Sequence, residues 1–198
     1  MTAHVTVSNA GQALSSALAG LGKAILPELL AKESIEAGKL EVHPELTVLA
    51  RLVDGVKNLF LPQAMERSLQ FEVELAHDLP VSLFSDRQRL EQILKNLLAN
   101  AFKFTEKGSV TLRVEKRGED QLAFAVRDTG IGIAPEQQAA IFEAFRQADG
   151  TTNRRYGGTG LGLSITQSII GQHRGLVECE SEPGRTDFII FLPLEDTP

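Results

Sequence analysis

The stretch LEQILKNLLANAFKF, residues 90–104, predicts a helix with two chemically different faces. Asn96, Asn100 and Lys103 follow one another at i, i+4 and i+7, so they share one face. Asparagine weakens a helix because its side chain competes for backbone hydrogen bonds. Two carboxamide oxygens and an ammonium group suit a hard cation and its phosphates, although a solvated polar face fits this stretch as well. The other face is apolar and predicts burial of Leu90, Ile93, Leu94, Leu97 and Ala101.

Two glycine-rich segments follow this helix. The first, DTGIGI (128–133), comes after a predicted strand, and its Asp128 offers an acceptor-only carboxylate. Such a group can accept from the exocyclic amine of adenine, while an ordinary Asp-Thr-Gly turn explains the residues equally well. The second, GGTGLG (157–162), opens a predicted helix whose free amides suit a phosphate. It lacks the Lys-Ser/Thr of a Walker loop and the preceding strand of a Rossmann fingerprint.

A long polar segment separates the two glycine-rich segments. The 24 residues from 133 to 156 include Phe142 and Phe145 but few other apolar side chains of that size. Segments of this length inside a compact domain are usually functional lids or are disordered. We therefore expect a lid over 134–157 that a bound ligand orders.

Composition limits the classes of protein to which the chain can belong. It has 198 residues, a net charge of −6 and a pI of about 5.3. An acidic chain without a basic block is poorly suited to bind nucleic acid. The single cysteine, Cys179, excludes an internal disulfide. No apolar run approaches the roughly 20 residues that span a bilayer, and no secretion signal is visible, so we expect a cytoplasmic protein.

Helices and strands alternate irregularly along the chain. Helical periodicity is clearest over 10–34, 49–60, 86–104 and 161–170, and strand alternation near 71–75, 110–114, 122–128, 176–179 and 187–192. The mixture predicts a two-layer α/β sandwich, in which helices cover one face of a mixed sheet. We expect an N-terminal helical segment, 1–40, followed by a domain over 41–198. The N-terminal segment contains apolar residues at helical spacing, which indicate a packing helix or half of a dimer seam. These residues are Leu14, Leu18, Leu21 and Ile25.

The order of these segments resembles the ATP-binding domain of sensor histidine kinases. Its Bergerat fold is shared with heat-shock chaperone ATPases, type II topoisomerases and MutL. LEQILKNLLANAFKF resembles the N box, DTGIGI the first glycine box, IFEAFRQADG the F box and RRYGGTGLGLSI the second glycine box. The resemblance covers residues 35–194, and IEAGKLEVHPE (35–45) is similar to the stretch that joins the helical phosphoacceptor domain to the catalytic domain.

This resemblance implies a role for each matching residue. Asn100 would ligate Mg²⁺, while Asn96 and Lys103 would support the phosphates of ATP and act as catalytic residues. Asp128 would accept from the adenine amine. The other implied cofactor-binding positions lie beside the purine, in the lid and in the phosphate cradle: Gly130, Gly132, Ile133, Phe145 (anchoring the lid with Phe142), Gly158, Thr159, Gly160, Leu161 and Gly162. The implied reaction is in-line transfer of the γ-phosphoryl group to a histidine.

The resemblance also implies partners. The family's acceptor histidine lies on a helix upstream of the EAGKL-like stretch, in a motif that none of the four histidines matches: His4, His43, His77 and His173. We therefore expect the acceptor on a dimerisation domain, in the same protein or another chain, with a response regulator downstream. Homodimerisation through the N-terminal helix is a further hypothesis.

Two features depart from the family pattern. Gln147 stands where many members carry an arginine in the lid, although Arg146 is adjacent. The ending over 167–195 is similar to nitrogen-regulation sensor kinases, whereas the middle is more similar to large hybrid kinases. A mosaic chain, natural or constructed, would combine the two.

Other functions remain open for this fold. An ATP-hydrolysing switch of the chaperone and MutL type carries a glutamate base four residues before the metal-binding asparagine. This chain has Asn96 there, and a carboxamide cannot take a proton from water. A non-catalytic interaction module, in which ATP only orders the lid, fits the same residues. So does a partner-switching relative that phosphorylates serine or threonine.

Overall fold

The computed structural model describes residues 3–7, 43–138, 141–142 and 162–194. Their strands are β1 (Ala3–Val7), β2 (Glu45–Val48), β3 (Gln70–Leu75), β4 (Ser82–Ser85), β5 (Ser109–Arg117), β6 (Gln121–Asp128), β7 (Leu176–Glu182) and β8 (Arg185–Pro193). Their helices are α1 (Leu49–Glu66), α2 (Arg87–Phe104), α3 (Pro135–Gln138) and α4 (Gly162–Gln172). The helix predicted over 10–34, the dimer seam assigned to it and most of the lid lie outside these residues.

The main sheet has six strands in the order β1-β7-β8-β6-β5-β3, and β2 pairs with β4 in a separate ribbon. Strand β3 runs parallel to β5, whereas all other neighbours in the sheet are antiparallel. The sheet is therefore mixed, as predicted. In the antiparallel pair of β6 and β8, Asp128 lies opposite Thr186, which places the DTGIGI segment beside the turn between β7 and β8.

The three longer helices α1, α2 and α4 cover one face of the sheet. Helix α2 lies at the centre, and its apolar face is fully buried at Leu90, Ile93, Leu94 and Leu97. Burying one such side chain stabilises a fold by about 1.5–3 kcal/mol. The helix begins where the sequence predicts, because the Asp86 carboxylate accepts from the Arg89 amide at 3.0 Å and caps the first turn. This arrangement confirms the predicted two-layer sandwich.

Residues 3–7 differ from the expectation of a helical segment over 1–40. They form strand β1, which pairs antiparallel with β7 at the edge of the sheet. The sequence AHVTV contains three β-branched residues in five, and such residues favour strands over helices. Part of the expected N-terminal segment therefore belongs to the main sheet.

Candidate functional site

Asp128, the last residue of β6, is a buried carboxylate with one oxygen engaged by the protein. It is 5% exposed, and its Oδ1 accepts from the Gly130 amide at 2.8 Å and from the Thr105 hydroxyl at 3.5 Å. No described residue donates to Oδ2. Burial raises the pKa of Asp128 to about 6, with a further increase from the nearby Asp187 charge, while the two hydrogen bonds oppose the shift. The site thus keeps an acceptor whose solvation has been largely removed.

The loop after Asp128 is held between the end of α2 and the turn between β7 and β8. The Ile131 amide donates to the Phe104 carbonyl at 3.3 Å, and the Gly184 amide donates to the Gly130 carbonyl at 3.0 Å. A Cβ added at Gly130 would lie 2.4 Å from the Phe104 carbonyl oxygen. A Cβ added at Gly132, where φ is +78°, would lie 2.4 Å from the Glu182 carbonyl oxygen. Close backbone packing therefore requires both glycines, independently of any approach by a purine.

A buried polar network fixes the far end of this loop, and the sequence reading missed it. The Ile133 amide donates to the Ser181 hydroxyl at 2.8 Å. The Gln138 amide group donates to the carbonyls of Ile133 and Ser181, both at 2.9 Å. Gln138 is 0% exposed and Ser181 is 3% exposed. A polar residue in the buried alternation of β7, after Val177 and Cys179, was the available signal for Ser181.

Asn96, Asn100 and Lys103 share a polar face of α2, as the sequence predicts. This face runs from the loop after Asp128 to the start of α4. The Asn96 amide group donates to the Gly162 carbonyl and the Thr166 hydroxyl, each at 3.4 Å. Asn96 therefore ties α2 to the first turn of α4, a contact that its predicted phosphate role did not include. The Lys103 ammonium lies 5.0 Å from the centre of the Phe104 ring, and partial burial lowers its pKa.

Asn100 is the predicted metal ligand, and its surroundings suit that role. Its side chain is half-buried, and its carboxamide makes no hydrogen bond to any described residue. No cluster of three or more metal-binding side chains occurs among the described residues. A single amide oxygen is too weak to hold a divalent cation alone, but it suits Mg²⁺ that also binds phosphate oxygens and water.

Helix α4 closes the other side of the site. Its first turn begins at Gly162, beside Asn96, and its leading amides have no intrahelical partners. Such an N-terminus favours anions. Phe142, the predicted lid anchor, is 4% exposed. Its ring packs edge-on against that of Phe188, with 6.2 Å between the ring centres. The positions outside the described residues are Phe145, Gly158, Thr159, Gly160 and Leu161.

The described site residues therefore surround the C-terminal half of α2. Asp128 and its loop contact the end of the helix through Thr105 and Phe104. Asn96, about 12 Å back along the helix axis, contacts the start of α4. The arrangement offers a buried acceptor at one end and an amide, an ammonium group and a helix N-terminus toward the other. It suits a ligand with a heterocyclic base at one end and phosphates at the other.

The family follows from this geometry and from comparison with known proteins. Residues 85–196 match the family described as Histidine kinase-, DNA gyrase B-, and HSP90-like ATPase. This match spans more than half of the chain, so the chain belongs to that family of ATP-binding domains. The predicted family is thereby confirmed, together with its fold.

Several proteins with similar sequences are histidine kinases. The chain is 39% identical over 166 residues to the signal transduction histidine-protein kinase BarA of Escherichia coli (strain K12), covering 82% of this chain and 18% of BarA. It is 40% identical over 172 residues to the circadian input-output histidine kinase CikA of Synechococcus elongatus, covering 85% of this chain and 23% of CikA. The chain thus spans about a fifth of the length of these relatives.

A solved structure supports the same relationship. Full-length ShkA in complex with AMPPNP superposes with a TM-score of 0.77 at 32% identity, covering 86% of this chain and 35% of ShkA. AMPPNP is an ATP analogue, so this neighbour supports ATP as the ligand of the family. In the described ranges, no helix has the length and apolar character needed to cross a membrane.

Proposed function

We propose that this domain binds Mg-ATP and donates the γ-phosphoryl group to a histidine on a dimerisation domain. One observation carries the proposal most directly. It is the buried Asp128 carboxylate: the Gly130 amide holds Oδ1 at 2.8 Å, while Oδ2 receives no hydrogen bond from the described part of the chain. A buried acceptor in that state favours a ligand that brings its own donor.

Adenine supplies such a donor through its exocyclic amine. Because Oδ1 is held by the protein, Oδ2 is the atom left to accept from this amine. Thr105 and Gly130 keep the carboxylate in one orientation, so no reorganisation of the acceptor is needed on binding. Guanine and hypoxanthine carry a carbonyl oxygen at the same ring position, and it would face the carboxylate unfavourably.

The phosphates would extend along α2 toward α4. The Asn100 carboxamide oxygen would hold Mg²⁺ beside the phosphates, and the Lys103 ammonium would add positive charge there. When bound, Mg²⁺ supplies neutralisation of phosphate charge. The N-terminus of α4, held to α2 by Asn96, would direct its amides at the same oxygens.

Transfer to a histidine, rather than to water, is supported by two observations. The position of the hydrolytic glutamate holds Asn96, whose amide group donates to Gly162 and Thr166. A carboxamide cannot act as a general base. The relatives BarA and CikA are themselves histidine kinases. We propose that the acceptor histidine lies on another domain and that a response regulator acts downstream of it. We expect the whole reaction to take place in the cytoplasm.

The test is incubation with γ-labelled ATP and Mg²⁺, with and without a separate histidine-bearing dimerisation domain from a related kinase. We expect acid-labile, alkali-stable label on the added domain. Label released as inorganic phosphate at the same rate without that domain would indicate a hydrolase instead. An Asn100→Ala variant serves as the negative control, because it removes the proposed Mg²⁺ ligand.

A further inference from the structure

Strand β3 forms one edge of the main sheet. It pairs with β5 on one side, and no described strand pairs with its other side. An edge strand presents a row of backbone amides and carbonyls to which another strand can bind. This edge is separated from Asp128 by β5, so it is distinct from the proposed nucleotide site.

The hydrogen bonds between β3 and β5 show which residues of β3 direct their backbone groups outward. The Gln70 amide donates to the Gly108 carbonyl and the Ala76 amide to the Val114 carbonyl, each at 3.0 Å. In a parallel pair of strands, residues that bond to one neighbour alternate with residues that face the other way. The even-numbered residues of β3 therefore face β5, and three others face the open side: Phe71, Val73 and Leu75.

The side chains of these three outward-facing residues form an apolar border that the helices cover incompletely. Each lies opposite a residue of β5 that is 0% exposed, namely Val110, Leu112 and Val114. On β3 itself, Phe71 and Val73 are only half-buried, and Leu75 is 47% exposed. Apolar side chains on an added strand would remove this border from water, which favours binding.

The opposite face of β3 is acidic. Glu72 and Glu74 are both exposed, and neither forms a salt bridge within the described ranges. Arg113 lies opposite Glu74 but forms a salt bridge with Glu115 at 2.9 Å. Arg127 attracts Glu74 only at longer range. The edge therefore presents two carboxylates that a cationic partner can neutralise.

These carboxylates make the edge unsuitable for a second copy of the chain. If two β3 strands paired in antiparallel fashion about Val73, Glu72 of each copy would lie opposite Glu74 of the other. Like charges directly opposite each other destabilise a pair of strands. Lysine or arginine at the facing positions would stabilise it instead.

We propose that β3 binds an extended segment of a partner protein in which basic and apolar residues alternate. The segment adds a strand to the sheet by pairing with the outward backbone groups of Phe71, Val73 and Leu75. Its apolar side chains pack on the helix-covered face, and its basic side chains lie beside Glu72 and Glu74. In strand addition of this kind, the main chain supplies affinity and alternate side chains supply specificity.

The proposal is tested by amide NMR titration and hydrogen exchange of the full chain with a six-residue peptide of alternating lysine and valine, blocked at both ends. We expect saturable shifts centred on β3. The amides of Phe71, Val73 and Leu75 should gain protection from exchange, because the peptide provides their acceptors. The amides of Glu72 and Glu74 already face β5 and should gain much less.

Three control peptides separate the contributions of charge, apolar contact and backbone pairing. A glutamate and valine peptide should bind at least about fivefold more weakly, because it places like charges beside Glu72 and Glu74. A lysine and serine peptide should bind at least about tenfold more weakly, because it buries little apolar surface. A backbone-methylated lysine and valine peptide should also lose at least about tenfold, because it cannot donate to the edge.

A charge-reversal variant adds a test on the protein side. Replacing both glutamates, Glu72→Lys with Glu74→Lys, should reverse the preference, so that the glutamate and valine peptide binds more tightly than the lysine and valine peptide. The control is Glu119→Lys with Asp120→Lys, in the exposed turn between β5 and β6. It makes the same change in net charge and should preserve the original preference.

Four results would overturn the proposal. They are the absence of saturation, equal affinity for the lysine and glutamate peptides, a lack of new protection at Phe71, Val73 and Leu75, and β3 shifts that depend on chain concentration without any peptide. The last result would mean that a second copy occupies the edge. The peptide comparison needs only the original chain, so it decides the matter even if the charge-reversal variant does not fold.

Discussion

Replacing Asp128 by asparagine should stabilise the fold and, at the same time, strongly weaken the binding of ATP. The pKa of the buried carboxylate rises from 3.8 to about 6. This difference corresponds to about 3 kcal/mol by which the ionised group destabilises the folded state above pH 6. Asparagine has the same shape without the charge, so at pH 8 Asp128→Asn should raise the free energy of unfolding by about 1–3 kcal/mol.

The stabilisation by Asp128→Asn should depend on pH, because only the original chain carries a group that titrates at this position. Between pH 6 and about 4 the folded protein holds a proton on Asp128 that the unfolded chain has released. The original chain therefore gains stability as the pH falls through 6, and the advantage of the asparagine variant should vanish near pH 4. Urea unfolding from pH 8 to pH 4 measures both quantities. A difference in unfolding free energy between the two chains that stays constant with pH would show that the charge of Asp128 is not its cause.

The same substitution should weaken ATP binding, because the Gly130 amide fixes the orientation of the side chain at position 128. The Gly130 amide requires an oxygen at Oδ1, so the new amide nitrogen takes the place of Oδ2 and faces the adenine amine as a second donor. Loss of the hydrogen bond and opposed donors should cost about 2–4 kcal/mol, or about 30- to 1,000-fold in affinity. Asp78→Asn, in an exposed loop, is the matched control and should change neither stability nor binding.

Three further variants test other parts of the site. Asn100→Ala should remove the Mg²⁺ dependence of ATP affinity in calorimetric titrations yet alter stability by less than about 0.5 kcal/mol, because its carboxamide makes no hydrogen bond to a described residue. Unchanged Mg²⁺ dependence would exclude it as the ligand. Gly132→Ala should lower the free energy of unfolding by more than about 2 kcal/mol, because φ is +78° and the Glu182 carbonyl is too close, whereas Gly55→Ala has open space and should not destabilise. Gln138→Leu should cost about 2–4 kcal/mol in urea unfolding, since the buried Ser181 carbonyl and the half-buried Ile133 carbonyl lose their donor. A neutral effect would mean that the network does not hold the loop.

The α2 helix and the end of β6 could be predicted because short-range signals agree there. Asp86 provides a cap, the apolar positions keep helical spacing, and Asp128 ends an alternating strand before a glycine. The ribbon of β2 and β4 was missed because each strand has only four residues. In addition, Val48 leads directly into the apolar stripe of α1, so the sequence shows no break between strand and helix.

Other features depend on contacts between distant parts of the chain. Strand β1 pairs with residues 177–181, so its place at the sheet edge leaves no mark in local sequence. Ser181 and Gln138 are polar residues whose partner atoms are backbone groups. Backbone groups have no sequence signature, so the alternation of β7 could mark Ser181 as unusual but could not show which atoms it contacts.

The proposed function depends above all on recognition of the exocyclic amine of adenine by Asp128. The most direct measurement compares the affinities of ATP and inosine triphosphate for the original chain and for Asp128→Asn. The two nucleotides differ by an amine or a carbonyl oxygen at the ring position that Asp128 would contact. The original chain should prefer ATP by at least about 30-fold, and the asparagine variant should reverse this preference. Equal affinities in the original chain, or an unchanged preference in the variant, would show that Asp128 does not recognise this amine.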